Sequence, residues 1–369
     1  MNRGIGLATL RDLLQRLVAP IDPPLMLFAS LLLLFAVGMM FSASPERVNA
    51  QLLNVVAALV VMRVVAQVPP QRLMHLAVPV YVLGLLLLIA VALFGDVSKG
   101  ARRWLNLGFM RAQPSELMKI AMPLLLAWFF QKREAMPRLR DYGIAALLLL
   151  LPVALIARQP DLGTAILVLA AGFYVIFFAG LSWKIMIGMA VTAAAAAPLA
   201  WNLLHDYQRN RIITLFDPEK DPLGKGFHII QSTIAIGSGG IFGKGWRQGT
   251  QAQLEFIPER HTDFIFAVYS EEFGLFGNLL LLSLYALLIG RGLMIAANAA
   301  TLFSRLLAGA VTMIFFTYAF VNMCMVSGIL PVVGVPLPLI SYGGTALVTL
   351  FLGIGILMSI HGNRMLVQK

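Results

Sequence analysis

Long apolar runs separated by short polar connections dominate the sequence. A helix that crosses a bilayer needs about 20 largely apolar residues, and ten runs qualify, of which 141–157 and 114–131 are among the shortest. No soluble domain of any size remains, so we expect an all-α, polytopic fold in one integral membrane domain over residues 1–369. The predicted transmembrane helices lie near 25–43, 50–67, 74–95, 114–131, 141–157, 161–180, 184–204, 263–290, 305–328 and 343–361.

Composition and charge agree with this pattern and orient it. Apolar residues make up 59% of the chain and charged residues 12%, against about 25% charged in an ordinary soluble domain. The short connections that carry most of the Lys and Arg are expected to be cytoplasmic. This predicts that both termini are cytoplasmic and that the longest connection, 205–262, lies outside. The first apolar run exceeds the length typical of a cleaved signal, which favours an uncleaved span.

One outer connection is unusually basic. Residues 96–113 carry four cations against a single acid, Asp96, on the side where the positive-inside rule disfavours cations. One interpretation is interfacial anchoring, with Trp104 at headgroup depth and the cations on phospholipid phosphates. The other is a binding site for an anionic lipid headgroup. The four cations are Lys99, Arg102, Arg103 and Arg111.

Four helices that run inward from the outer face begin with polar residues. Pro114 and Pro160 suit the first turn of a helix, where the missing N–H costs nothing. If the four starts cluster, their positive ends point to one region and attract anions such as phosphate or pyrophosphate. The starts read QPSE at 113–116, QPDLG at 159–163, HTDF at 261–264 and SYGGT at 341–345.

Charges also lie inside predicted spans. Glu116 and Lys119 are three residues apart and can pair on one helix face, which is the expected solution for charges in lipid. Glu271 and its neighbour Glu272 follow Asp263 by two helical turns, about 12–13 Å at 1.5 Å per residue. These acids are explained equally well as links between helices or as the lining of a polar cavity, which would also contain Asp161 and Ser341.

The stretch PERHTDFIF at 258–266 concentrates polar residues at the edge of an apolar run. Asp263 or Thr262 could cap the helix, because a side-chain oxygen there accepts from free backbone N–H groups. The alternative is a chemical role for Asp263. The local sequence alone leaves both interpretations open.

Three apparent ligand motifs fail on spacing. GSGGIFGKGW at 237–246 lacks the Gly, four residues, Gly-Lys-Ser/Thr pattern of a nucleotide-binding P-loop, so no nucleotide cofactor is expected. DPEKDP at 217–222 lacks the central Gly of a calcium loop. The histidines His205, His228 and His261 match no common zinc spacing, and the single cysteine, Cys324, excludes an internal disulfide.

Several longer motifs resemble the SEDS family of bacterial cell-wall glycosyltransferases, over roughly residues 22–362. Within that family, the short N-terminus and GTQAQLEFIPERHTDF are similar to the elongation type rather than the division type. The motifs are SKGARRWLNLG, QPSELMKI, ARQPDLGTA, DPEKDPLGKGFHIIQS, AIGSGGIFGKGW, FIPERHTDFIFAV and VGVPLPLISYGG.

The resemblance implies ten spans and a peptidoglycan polymerase acting on lipid II at the outer face of the bacterial cytoplasmic membrane. It also implies a class B penicillin-binding protein as the crosslinking partner, together with other membrane proteins of the elongation complex, and no nucleic acid. Carried over by motif, the family's essential acid falls on Asp263. The acid and base of its fourth helix fall on Glu116 and Lys119.

The expected chemistry is attack by a sugar 4-hydroxyl on the anomeric carbon of a lipid-pyrophosphate glycan, with inversion. Asp263 is the predicted general base. The departing pyrophosphate needs cations or helix N-termini, and a divalent cation, Mg²⁺ or Mn²⁺, is compatible with this step although the sequence shows no dedicated cage. The predicted pyrophosphate-binding residues are Lys99, Arg102, Arg103, Arg111 and Arg158.

Three alternatives belong to other classes or types. A lipid II flippase would use a similar basic cavity but needs access from both leaflets, whereas the unusual charges lie mostly on the outer side. A scaffold for wall assembly would need neither the acid at a helix start nor the intramembrane charges. The third alternative is the division-type polymerase of the same family.

Overall fold

The computed structural model describes most of the chain, and its long helices pack side by side. The described ranges are 21–98, 101–106, 111–133, 137–203, 206–220, 224–254, 256–257 and 259–363. The ten long helices are α1 (Pro23–Ala43), α2 (Val48–Ala66), α3 (Pro70–Phe94), α4 (Pro114–Gln131), α5 (Leu139–Arg158), α6 (Leu162–Phe178), α7 (Trp183–Leu203), α11 (Ile265–Ala297), α12 (Leu302–Val326) and α13 (Gly344–Asn363).

Each predicted transmembrane segment coincides with one of these helices. Seven of the described helices are long and apolar enough to cross a membrane, and the prediction of a helical, multi-pass membrane protein is confirmed. The number of ten spans and the orientation stay predictions. The boundary that moves most is that of α11, which begins at Ile265 rather than 263 and extends to Ala297 rather than 290.

Helix starts follow from local chemistry. Pro23, Pro70 and Pro114 each occupy the first turn of their helix, where proline sacrifices no hydrogen bond and already has a helical φ. Asp22 caps α1 by accepting from Leu25 N at 2.9 Å. The same buried carboxylate accepts two hydrogen bonds from Arg291 of α11, at 3.0 and 2.6 Å. This pair fastens the start of α1 to the far part of α11.

The helix α12 lies at the centre of the packing. Of its most apolar 18-residue window, 78% is buried inside the protein, against 22% for the segment Pro45–Ala66. A polar side chain on α12 is therefore surrounded by protein rather than by lipid, where it needs a hydrogen-bond partner. Two such side chains are Tyr318, which binds Lys119, and Asn322, which binds the backbone of Asp263.

The connections contain more regular structure than the sequence predicted. The basic connection forms three short antiparallel strands, β1 (Asp96–Ser98), β2 (Ala101–Asn106) and β3 (Arg111–Ala112). In its described residues, the long connection between α7 and α11, predicted as a loop, contains three α-helices. These are α8 (Asp206–Phe216), α9 (Lys225–Ser238) and α10 (Thr250–Gln253). Backbone groups that are not exposed to water need internal partners, which favours such local structure over open loop.

The helix α11 is broken, and the segment after α9 fills the break. Gly274 has φ +63° and ψ −159°, which interrupts the helical hydrogen bonds. The N–H groups of Lys244 and Gly245 donate to the carbonyls of Glu271 and Glu272, both at 3.0 Å. In return, the N–H groups of Leu275 and Phe276 donate to residues 240 and 241, at 2.9 and 3.0 Å. Non-helical backbone is tolerated within a membrane protein where protein surrounds it.

Candidate active site

Asp263 lies in the turn that precedes α11. Residues 259–264 form turns, and the helix begins at Ile265 with Phe264 in the N-cap position and no cap hydrogen bond from that residue's side chain. The hydroxyl of Thr262 donates to the carbonyl and carboxylate of Glu259, at 3.2 and 3.0 Å, rather than accepting from the helix. The structure therefore places neither Thr262 nor Asp263 in the N-cap position, because the helix starts later than expected.

The backbone around Asp263 is fixed by two other parts of the chain. The hydroxyl of Ser341 donates to the carbonyl of Thr262 at 2.6 Å, and the N–H of Tyr342 donates to the carbonyl of His261 at 2.8 Å. From α12, the side-chain amide of Asn322 donates to the carbonyl of Asp263 at 2.8 Å. Residues 261–263 are thus held by hydrogen bonds at three consecutive carbonyls.

The Asp263 carboxylate faces the connection between α12 and α13. A β-carbon placed on Gly334 would lie 3.4 Å from Asp263 Oδ2, and Gly334 adopts φ +76°, a conformation that favours glycine. The other hydrogen of the Asn322 amide goes to the carbonyl of Val335 at 2.7 Å. One side chain therefore joins the backbone of Asp263 to the connection that its carboxylate contacts.

The structure brings the four polar helix starts together. At the start of α6, Asp161 accepts from Thr164 N at 3.3 Å and from Gln113, at the start of α4, at 3.0 Å. Gly163 packs so closely that a β-carbon there would lie 2.6 Å from Val333 O. Val333 adjoins the glycine that faces Asp263, and Ser341 completes the link to the start of α13. The convergence of the four N-termini makes this region favourable for an anion.

The predicted pyrophosphate-binding cations differ in how the structure places them. The Arg103 guanidinium donates to Pro160 O at 2.6 Å and lies 3.9 Å from Asp161, so it borders the start of α6. Arg158 is exposed at the end of α5. Lys99 lies outside the described residues. Arg102 and Arg111 belong to strands β2 and β3, and their side chains also lie outside the described part.

Glu116 and Lys119 form the i, i+3 pair on α4 that their spacing predicts. Lys119 Nζ lies 2.6 Å from Glu116 Oε1, and the exposed fractions of the two side chains are 3% and 12%. The ammonium also donates to the hydroxyl of Tyr318 on α12. The pair therefore lies inside the protein and links α4 to the central helix.

The three residues considered as the lining of a polar cavity are buried and hydrogen-bonded in the structure. The Glu271 carboxylate is fully buried and accepts from Lys244 Nζ at 2.7 Å, Thr250 Oγ1 at 3.1 Å and Gln251 N at 3.1 Å. Asp161 and Ser341 are exposed by only 5% and 6% and bind the helix starts described above. Because a buried carboxylate needs partners, the segment that fills the α11 break supplies them to Glu271.

Several residues at the site were missed at the level of sequence. The Arg47 guanidinium lies 5.5 Å from the Tyr342 ring, and the His261 ring contacts the same tyrosine at 5.8 Å between centroids. Burial, followed by the charge of Arg47, lowers the pKa of His261 below its ordinary value. Asn322 carried a detectable signal, since an amide inside an apolar run is expensive in lipid and marks a functional contact.

Comparison with known proteins identifies the family. Residues 16–365 match the FtsW, RodA and SpoVE family, described as "Cell cycle protein". The chain belongs to this family. The membership confirms the SEDS resemblance.

Family members in other bacteria are similar over nearly the whole chain. The peptidoglycan glycosyltransferase MrdB of Escherichia coli K12 is 54% identical over 354 residues, which cover 95% of both proteins. A probable peptidoglycan glycosyltransferase FtsW of Geobacter metallireducens is 35% identical, over 92% of this chain and 94% of that protein. The MrdB protein is therefore more similar to this chain than the FtsW protein is.

Solved structures of family members share the fold. A chain from work described as "Structural coordination of polymerization and crosslinking by a peptidoglycan synthase complex" has a TM-score of 0.81 at 35% identity, covering 93% of this chain and 98% of that one. The rod shape determining protein RodA of Thermus thermophilus has a TM-score of 0.71 at 30% identity, covering 93% of this chain and 97% of that one.

Proposed function

We propose that this protein is a peptidoglycan glycosyltransferase that polymerises lipid II for cell elongation and rod shape, with Asp263 as its general base. The predicted enzyme class agrees with the name of the relative that is 54% identical over 95% of the chain. The observation that carries the assignment of Asp263 is its position. Its carboxylate faces a glycine at the junction where four helix starts converge.

In the proposed reaction, the Asp263 carboxylate accepts the proton of the acceptor sugar's 4-hydroxyl. The hydroxyl oxygen forms a bond to the anomeric carbon of the donor, and the bond from that carbon to the undecaprenyl pyrophosphate oxygen breaks, with inversion. The pyrophosphate leaves with the electron pair. A positioned carboxylate base of this kind contributes about 10²–10⁴-fold to rate.

The leaving group needs positive charge as it departs, and the helix N-termini supply part of it. The start of α6, which Arg103 borders, is the best-described part of this region, and Lys99, Arg102, Arg111 and Arg158 are proposed to contribute further cations. Stabilisation of developing charge by such fixed groups is a major source of catalysis.

A divalent cation, Mg²⁺ or Mn²⁺, is proposed only as a ligand of the substrate. Within the described ranges, no group of three or more His, Cys, Asp and Glu side chains is arranged to hold a metal ion. A cation bound by the pyrophosphate oxygens is compatible with this arrangement, because it needs few ligands from the protein.

The cellular setting follows from the same proposal. The protein is a multi-pass bacterial membrane protein, and we place it in the cytoplasmic membrane with the Asp263 region on the outer side. A class B penicillin-binding protein is the proposed partner for crosslinking, within an elongation complex that includes other membrane proteins and no nucleic acid. The similarity to a chain of a synthase complex that coordinates polymerization and crosslinking supports this partner.

The decisive experiment measures glycan formation from purified lipid II by the isolated protein, with and without the transpeptidase partner. Replacing Asp263 with Asn keeps the size and polarity of the side chain but removes the base, so the rate should fall by about 10²–10⁴-fold. Thermal melting and co-purification with the partner should change little. A near wild-type rate for Asp263→Asn would refute the proposed role.

A further inference from the structure

Residues 261–263 lack the support that a helix gives its own backbone. They lie in the turn before α11, so intrahelical hydrogen bonds do not determine where the Asp263 backbone sits. Each of their carbonyls is nevertheless bound by a group from α12 or from the connection before α13. Two of these three groups are side chains, and each could be replaced by mutation.

The side chain of Asn322 links two backbone segments that are distant in sequence. It is fully buried, and its side-chain nitrogen donates one hydrogen to Asp263 O at 2.8 Å and the other to Val335 O at 2.7 Å. Two carbonyl acceptors require an NH₂ group, which an asparagine has and an aspartate lacks. The residue before Val335 is Gly334, which faces the Asp263 carboxylate. The two hydrogen bonds of Asn322 therefore fix the distance between the Asp263 carboxylate and Gly334.

Ser341 makes a second, independent attachment. Its hydroxyl accepts from Leu337 N at 2.7 Å and donates to Thr262 O at 2.6 Å. One small side chain therefore closes the turn at 337–341 and holds the peptide that precedes Asp263. Hydrogen bonds that determine a residue's backbone also determine where its side chain can reach.

We propose that Asn322 and Ser341 are positioning residues for Asp263, which hold its carboxylate at the distance that proton transfer from the acceptor hydroxyl requires. This inference rests on the proposed role of Asp263 as the base. Neither side chain touches the reacting atoms in this scheme. Their loss should therefore lower kcat and leave the KM for lipid II unchanged, the signature of an interaction that matters only in the transition state.

The test uses Ser341→Ala as the mild variant and Asn322→Leu as the severe one, in the full-length protein with purified lipid II. Misplacement of a catalytic group by about 1 Å can cost on the order of 10²-fold, and we expect kcat to fall by about 10–100-fold in both variants. Ser341→Thr keeps the hydroxyl and should recover most of the lost kcat.

Tyr285→Phe is the matched control. The buried hydroxyl of Tyr285 donates to Pro338 O at 2.6 Å, so this variant removes one hydrogen bond to the same connection without touching residues 261–263. It should lower the melting temperature while keeping kcat. A wild-type kcat for Ser341→Ala, or an equal loss of kcat in Tyr285→Phe, would overturn the positioning role.

Running Asp263→Asn in the same assay separates the two levels of the proposal. If Asp263→Asn is inactive while Ser341→Ala and Asn322→Leu keep the wild-type kcat, the positioning inference fails and the base survives. If Asp263→Asn is active, the proposed base fails, and the positioning role fails with it.

Discussion

Breaking the Glu116–Lys119 pair should strongly destabilise the protein. Opposite unit charges at 2.6 Å attract by about 6 kcal/mol at an effective dielectric constant near 20. Desolvation offsets part of this, and removal of one member of a buried pair typically costs about 3–5 kcal/mol because the other charge is left unpaired. We expect losses of that size for Lys119→Met, which also removes the donor to Tyr318, and for Glu116→Gln.

The double variant provides the sharper measurement. With both charges removed, no unpaired charge remains, so Glu116→Gln with Lys119→Met should cost about 2–3 kcal/mol less than the sum of the single variants. Reversible unfolding in mixed micelles gives these free energies. Lys132→Met, at an exposed position just after the same helix, serves as the control and should cost under about 1 kcal/mol.

Strict additivity of the two single variants would refute the reasoning, because it would mean that the charges do not interact. Exchanging the residues, Glu116→Lys with Lys119→Glu, tests the pair without removing it. The exchange should recover part of the stability lost in the single variants. It should not recover all of it, since the ammonium then lies about one turn away from its Tyr318 partner.

Two further predictions concern the backbone break and pH. Gly274→Ala should lower the melting temperature sharply, because a β-carbon there would lie 2.3 Å from Gly243 N and φ is +63°. Gly290→Ala, in the same helix, is the control. A β-carbon at Gly290 meets nothing within 4 Å, so this variant should be neutral or stabilising by up to about 1 kcal/mol. Burial and the charge of Arg47 lower the pKa of His261 in the folded protein below 6.5. The unfolded chain therefore binds a proton at His261 more readily than the folded protein does. The free energy of unfolding should then fall as pH drops through 6.5 towards the lowered pKa. Melting curves of His261→Gln between about pH 5 and 7 should therefore depend less on pH than those of the wild type, and identical slopes would contradict this.

Features that depend on a single helix could be predicted from the sequence. An apolar run satisfies its own backbone as a helix wherever it lies in lipid, so all ten predicted segments coincide with helices. The Glu116–Lys119 pair follows from i, i+3 spacing alone. Asp263 was selected as a candidate because a charged cluster beside an apolar run is unusual, and because the surrounding motif resembles a known family.

Features that depend on contacts between distant segments could not be predicted from the sequence. Asn322 binds a residue 59 positions away in sequence, and Lys119 binds Tyr318 at a separation of 199. Spacing on one helix gives no information on such partners. The partner of Glu271 was inaccessible for the same reason, since its buried carboxylate accepts from Lys244, in a segment that the sequence presented only as a glycine-rich loop.

The broken helix α11 makes the candidate site depend on a segment that precedes it in the chain. The carbonyls of residues 271–272 and the N–H groups of residues 275–276 are paired with residues 240–245, which are synthesised earlier. The first two turns of α11 therefore complete their hydrogen bonding through the preceding segment, which packs against them. Asp263 lies between the two paired segments. The site thus depends on tertiary contacts between distant segments and not only on the insertion of helices into the bilayer.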